Sequence, residues 1–267
     1  MKTIKIVLII LFSIIFLYLY NYRQISQFYI NKIKLSSKKL SKPLKITQIT
    51  DFHSNELVNI DKLFKKINEF NPDIIAITGD LIDYKTRDLA LAIEVIKRSK
   101  TVTEKVFFVS GNHEVNNKLE NKLYAKLYNQ GVVILDNKSE VINVEGNVLN
   151  VMGVHFYAEK SDFKKIFHDL NEDRYNLLLS HSPNRPIRFL DNRLDLILSG
   201  HTHGGQVRLP IIGAIISPGQ GLFPKYDKGI FNFDNTILYI DSGLGNSMAN
   251  IRLFNRIQIT NIEILPN

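Results

Sequence analysis

Three times between residues 44 and 114, a run that reads as a β-strand ends in a side chain able to bind a metal and gives way to a helical pattern. Residues 44–50 alternate as Leu44-Lys45-Ile46-Thr47-Gln48-Ile49-Thr50 and end at Asp51-Phe52-His53. Residues 74–78 are apolar throughout until Thr78 and end at Gly79-Asp80. Residues 106–110 end at Gly111-Asn112-His113-Glu114. Leu63, Phe64, Ile67 and Phe70 recur at helical spacing, which predicts a helix over 57–70, stopped by Asn71-Pro72. Further helices are expected over 89–98 and 119–128. Strands alternating with helices demand parallel pairing in an α/β fold, and ligands of such sheets gather beyond the carboxyl ends of the strands. One polar residue at a strand end is ordinary; three successive ends carrying Asp, His and Asn restrict where a site can be.

The texture then changes. Residues 132–154 alternate around Glu145-Gly146-Asn147, as a hairpin does. A helix is expected over 162–170 and a strand over 176–180, ending at His181. A strand over 195–199 leads into Gly200-His201-Thr202-His203-Gly204-Gly205-Gln206. Residues two apart on extended chain point the same way, so His201 and His203 can aim at one place. Residues 211–230, rich in Gly and Pro, read as a loop or flap over the site, and 236–241 and 257–265 as closing strands.

The chain has no cysteine, so thiolate metal sites and disulfides are excluded. What remains is Asp51, His53, Asp80, Asn112, His181, His201 and His203: two carboxylates, one amide and four imidazoles. Hard-to-borderline divalent ions suit these donors. Seven donors are too many for one ion and suit two that share a carboxylate, about 3.5–4 Å apart.

Residues 6–20 are apolar apart from Ser13, with Lys2 and Lys5 before them and no small-residue cleavage site after them. They predict an uncleaved single-pass anchor in the cell membrane, with Tyr18, Tyr20 and Tyr22 at the interface. The first 50 residues hold 9 of the 34 Lys and Arg and no acid, whereas the rest carry 25 basic against 26 acidic residues. The body is therefore near neutral and no nucleic-acid partner is expected. Arg23, Lys32, Lys34, Lys38 and Lys39 favour a cytoplasmic catalytic side, or lie against anionic lipid, or form a solvated linker. The expected division is an anchor over 1–22, a basic linker over 23–42 and a catalytic domain over 43–267, as a monomer.

Taken together, Asp51-Phe52-His53, Gly79-Asp80, Gly111-Asn112-His113-Glu114, His181 and Gly200-His201-Thr202-His203 resemble, in this order, the calcineurin-like metallophosphoesterases. The resemblance implies a four-layer αββα sandwich with two mixed sheets. It implies two divalent cations (Mn, Zn, Fe, Co or Mg), one held by Asp51, His53 and His203, the other by Asn112, His181 and His201, with Asp80 bridging. It implies in-line attack on phosphorus by a hydroxide between the ions. His113 would assist the leaving oxygen, and Asp83 would orient His113.

Gly204-Gly205-Gln206-Val207-Arg208-Leu209-Pro210, Lys225-Tyr226 and Ser242-Gly243-Leu244-Gly245, with the anchor, resemble a membrane-associated bacterial phosphodiesterase branch that includes UDP-2,3-diacylglucosamine pyrophosphatases. Where many members carry Gly-Val-Asp-Asp, this chain has Gly153-Val154-His155-Phe156. The expected activity is hydrolysis of a phosphodiester or pyrophosphate in a lipid- or nucleotide-linked substrate. Arg208 and Arg252 would either bind its phosphate or form surface salt bridges. The rival readings are a nuclease or cyclic-nucleotide phosphodiesterase, and a silent metal-binding scaffold at the membrane.

Overall fold

The computed structural model describes residues 2–247 and 249–267. In chain order the elements are α1 (Lys2–Ser26), β1 (Tyr29–Ser37), β2 (Leu44–Ile49), α2 (Ile60–Phe70), β3 (Ile74–Ile77), α3 (Ala90–Val102), β4 (Val106–Phe108), α4 (Asn112–Val115), α5 (Glu120–Asn129), β5 (Val133–Ile134), β6 (Lys138–Val144), β7 (Asn147–Val154), α6 (Lys160–Phe167), β8 (Tyr175–Ser180) and β9 (Leu196–Ser199). Two small hairpins follow, β10 (Arg208–Leu209) with β11 (Gly213–Ala214) and β12 (Ile216–Ser217) with β13 (Gly221–Leu222). The chain closes with β14 (Gly229–Phe233), β15 (Thr236–Ile240) and β16 (Gln258–Pro266).

Two six-stranded mixed sheets result, ordered β1-β16-β2-β3-β4-β5 and β14-β15-β9-β8-β7-β6. Alternate residues of each strand serve different layers. Ile46, Ile74, Ala76 and Phe107 meet Leu149, Val151, Leu177, Leu196 and Leu198 between the sheets. Ile49, Ile75, Ile77 and Phe108 face outward onto α2, α3 and α5. Met152, Leu178, Ile197 and Leu238 face α6 on the opposite side. This is the expected αββα sandwich, and the fully buried strands β3, β4, β8 and β9 read as mainly apolar runs because both faces are covered.

Helix α2 begins at Ile60 rather than 57 because the Asn59 side chain accepts the Lys62 N–H at 2.8 Å and caps it there. Residues 132–154 are only partly a hairpin. β5 pairs parallel with β4 in the first sheet, while β6 and β7 open the second, so the chain changes sheets between Ile134 and Lys138.

The expected linker over 23–42 is also corrected. Tyr29–Ser37 pairs in parallel with Gln258–Pro266 over nine residues as the edge of the first sheet. Its inward residues Ile33 and Leu35 join the core between the sheets, and exposed Lys32 and Lys34 protect the edge. Lys39 is bound to Asp195 at 2.9 Å rather than free for lipid. Helix α1 is the one described helix long and apolar enough to cross a membrane, and its apolar stretch is wholly exposed. At 1.5 Å per residue its 25 residues span about 37 Å, more than a hydrocarbon core of about 30 Å.

Candidate active site

The site lies where the carboxyl ends of β2, β3 and β4 in one sheet meet those of β8 and β9 in the other. Asp51 and His53 follow β2, Asp80 follows β3, Asn112 opens α4 after β4, His181 follows β8, and His201 and His203 follow β9. Each chain turns sharply as it leaves its strand. Asp51, His53, Asp80, His201 and His203 have φ between 49° and 68°, a region that non-glycine residues rarely enter. Such strain persists where surrounding bonds over-determine it. Here Asp51 N–H donates to Gly79 O and His53 N–H to Asp80 O, both at 3.0 Å. The Asp51 carboxylate accepts the His201 N–H across the sheets at 3.0 and 3.1 Å. Gly200 is needed at this crossing, since a Cβ there would overlap Thr50 Oγ1 and the Asp51 carboxylate.

Two donor clusters share Asp80, and a third group, His53, Asp83 and His113, shares His53 with the first. Asp51, His53, Asp80 and His203 each offer an atom within 4.8 Å of the others, and so do Asp80, His181 and His201. His53 Nε2 stands 3.3 Å from His203 Nε2 and 3.6 Å from Asp80 Oδ2. His181 Nε2 stands 3.1 Å from Asp80 Oδ2 and 3.2 Å from His201 Nδ1. His181 Nδ1 donates to Thr78 O at 2.8 Å, which leaves Nε2 free to face the cluster. Asn112 Oδ1 is buried without a hydrogen-bond partner.

Asp51 and Asp80 are fully buried, and buried carboxylates need cationic partners. While protonated, His181 supplies one: burial alone would depress its pKa, but Asp80 and Asp51 hold it up at about 9, and a divalent cation at Nε2 would take the place of that proton. Burial, reinforced by protonated His181, lowers His201 to about 3. Burial also depresses His203, so both rings of the His-x-His motif present lone pairs. Facing imidazole nitrogens, an orphaned amide oxygen and two buried carboxylates form a donor set that fits divalent cations.

His113 and Asp83 border the first cluster. His113 Nδ1 accepts the Tyr84 N–H at 3.0 Å, so the neutral ring carries its proton on Nε2, which lies 3.9 Å from Asp80 Oδ2. Asp83 Oδ2 sits between two imidazoles, 3.3 Å from His113 Nδ1 and 3.6 Å from His53 Nδ1. Glu114, expected to be structural rather than catalytic, is fully buried and accepts the N–H groups of Asp80, Gly111 and Ile82 at 2.8, 2.8 and 3.0 Å. It holds the turn that presents Asp80. Burial and the neighbouring Asp80 charge raise its pKa to about 7.

The expected phosphate contact by Arg252 is corrected. Arg252 is 1% exposed. Nε donates to Asn246 Oδ1, Nη1 to Asn255 O, and Nη2 to Ser242 O and Gly245 O. Four of its five N–H donors are thereby engaged, and it braces the loop behind His203. Arg208 Nη1 is bound to Asp227 at 2.7 Å and to Gly204 O at 2.9 Å, which is the salt-bridge alternative. His155 and His168 lie outside both clusters. Phe156 was missed: its ring lies 5.9 Å from His181 and 5.5 Å from His201, with Arg185 over its face at 5.8 Å. The available signal was its place in Gly153-Val154-His155-Phe156, the departure from the pattern of related chains.

Residues 44–205 match the calcineurin-like phosphoesterase family. The metallophosphoesterase YkoQ of Bacillus subtilis is 30% identical over 97% of this chain and 98% of its own length. The UDP-2,3-diacylglucosamine pyrophosphatase LpxG of Chlamydia trachomatis is 28% identical, covering 76% of this chain and 78% of its own. The NAD nucleotidase of Haemophilus influenzae shares the fold with a TM-score of 0.54 at 16% identity, over 76% of this chain and 45% of that one. With the motifs in family order and their side chains gathered between the two sheets, the chain belongs to the calcineurin-like phosphoesterase family and is a metal-dependent phosphoesterase.

Proposed function

We propose that this phosphoesterase is anchored in a membrane by α1 and hydrolyses a phosphodiester or pyrophosphate in an amphiphilic substrate with two divalent cations. The observation that carries the dinuclear reading is the shared membership of Asp80 in both donor clusters. Asp51, His53 and His203 would hold one ion and Asn112, His181 and His201 the other, with Asp80 between them. When bound, the cations supply positive charge opposite the phosphoryl oxygens and acidify the attacking water.

The chain's own residues do the rest. Thr78 O and the Tyr84 N–H fix the ring orientations of His181 and His113. Asp83, beside Nδ1 of His53, favours the tautomer that leaves His53 Nε2 for a cation. Burial lowers the pKa of His113, so at neutral pH the ring is neutral with its proton on Nε2, available to the departing oxygen. The similarity to a UDP-2,3-diacylglucosamine pyrophosphatase supports a substrate that joins a phosphate ester or anhydride to an apolar part.

The test is hydrolysis of bis-p-nitrophenyl phosphate by purified full-length protein with Mn²⁺, Zn²⁺, Co²⁺ or Mg²⁺, together with metal analysis. Asp80→Ala and His201→Ala should each abolish turnover and lower the bound metal. Retained metal-dependent turnover in either variant refutes the site. A panel of acylated nucleotide sugars, phospholipids, cyclic nucleotides and DNA then assigns the substrate.

A further inference from the structure

Outside α1, every described Ile, Leu or Phe that is more than half exposed lies on two short segments. Ile211, Ile212, Ile216, Leu222 and Phe223 are 56–108% exposed on the first, and Ile251 and Phe254 are 55% and 57% exposed on the second. The two segments adjoin. Arg208 N–H donates to Leu253 O at 3.0 Å, Leu253 N–H to Gln206 O at 3.1 Å, and Gln206 Nε2 to Ala249 O at 2.9 Å. Phe223 N–H donates to Ile215 O at 2.8 Å and ties the second hairpin into the same group. Neither segment offers an unpaired surface charge: residues 207–223 contain one charged side chain, Arg208, bound to Asp227, and residues 249–254 contain only the buried Arg252.

The base of α1 is fastened to this surface. Asn21 Nδ2 donates to Asn250 O at 2.8 Å, and Asn21 Oδ1 accepts the Arg252 N–H at 2.9 Å. Tyr20 OH accepts the Phe254 N–H at 3.2 Å, and the two rings are 6.0 Å apart. Two residues, 27 and 28, separate α1 from the nine-residue pairing of β1 with β16, so the helix meets the body through a fixed joint. An apolar surface of this extent around the foot of an apolar helix matches a membrane interface.

We propose that residues 207–223 and 249–254 form a membrane-docking collar that inserts its Ile, Leu and Phe tips into the bilayer crossed by α1. The occupant is the lipid surface, argued from continuity with α1 and the lack of free charge. This rests on the anchoring reading above. Gly204, Gly205 and Gln206 alone separate His203 from the collar, so docking holds the metal cluster next to the headgroup layer. A phosphoester embedded in the bilayer would then meet the site without leaving it.

The absence of cysteine permits a direct test. Ile212→Cys, Phe223→Cys and Ile251→Cys in the full chain are labelled with an environment-sensitive fluorophore and reconstituted into phosphatidylcholine–phosphatidylglycerol vesicles. Tyr128→Cys is the control: this residue is 77% exposed near the end of α5, just before the amino end of β5, which runs parallel to β4 so that this end lies away from the site. The expected result is a blue shift at the three collar positions and loss of their emission to lipids spin-labelled near the headgroup, with neither at position 128. Vesicle flotation is measured on the same samples. Flotation with water-like, unquenched collar labels overturns the collar while leaving the anchor standing. A blue shift that spin-labelled lipid does not quench assigns the surface to a second copy or another protein and also overturns it. Failure to float overturns anchor and collar together.

Discussion

Nε2 of His53 and Nε2 of His203 face each other at 3.3 Å across the first donor cluster, beside the Asp51 carboxylate. Two imidazole lone pairs at that separation repel unless a proton or a cation lies between them. Divalent cations should therefore stabilise the folded chain. Saturation at 100 times Kd adds about 2.7 kcal/mol per site, read as a rise in Tm with Mn²⁺ or Zn²⁺ that chelation reverses. Metal analysis should give two ions per wild-type chain and one for His203→Ala. One ion in both proteins would show that the cluster is mononuclear.

His113 and its neighbour Asp83 make a separable prediction. A proton donor to the leaving group is worth about 10²–10⁴ in rate, and matters less when the leaving group departs easily. His113→Gln should slow an alkyl or sugar phosphate ester far more than a p-nitrophenyl ester, with metal content unchanged. Asp83→Asn should cost about 10–100-fold in metal affinity or activity, because its carboxylate lies near His53 as well as His113. Equal losses for both esters in His113→Gln would remove His113 from proton delivery.

Arg252 and Arg208 should behave differently from each other. Arg252→Met would leave Ser242 O, Gly245 O and Asn255 O without their buried donor, a loss of about 1–3 kcal/mol for each carbonyl left unpaired. Denaturant unfolding should show it. Arg208→Ala breaks a half-buried pair with Asp227 and should cost about 1 kcal/mol. A raised KM in a fully stable Arg252→Met protein would restore it as a phosphate ligand.

What the sequence reveals of this molecule follows from how local each cause is. Strand ends are local: apolar runs stop at Asp51, Asp80, Asn112, His181 and His201, and the fold gathers those stops because parallel strands share an edge. Helix α2 is legible from Leu63, Phe64 and Ile67, while its start depends on a cap by Asn59 that competes with the apolar residues before it. Strand β1 was not legible. Its alternation of Lys32, Ile33, Lys34 and Leu35 looks like charge scattered through a linker until β16, more than 200 residues later, pairs with it. Arg252 misled for a related reason. A guanidinium signals phosphate in sequence, and only the folded chain shows that the carbonyls of Ser242, Gly245 and Asn255 occupy it.

Lys228 gives a pH dependence of stability whose sign follows from its surroundings. Its Nζ donates to Tyr29 OH at 3.0 Å and to Asn255 Oδ1 at 3.3 Å. Burial lowers its pKa from 10.5 to about 8, although Asp241 partly opposes the shift. The folded chain thus holds this proton less tightly than the unfolded chain. Unfolding takes up a proton between about pH 8 and 10.5, so this group makes stability rise with pH across that window. Below pH 8 the folded state bears the full cost of the buried ammonium, about 3 kcal/mol at 1.36 kcal/mol per pKa unit. Lys228→Met removes that cost and loses two hydrogen bonds of about 1 kcal/mol each. The variant should be the more stable protein at pH 7 by about 1 kcal/mol and the less stable one at pH 10. Urea unfolding of both proteins at pH 7, 8, 9 and 10 measures the crossing, and parallel curves would mean that the Lys228 ammonium is as well solvated in the fold as in the unfolded chain.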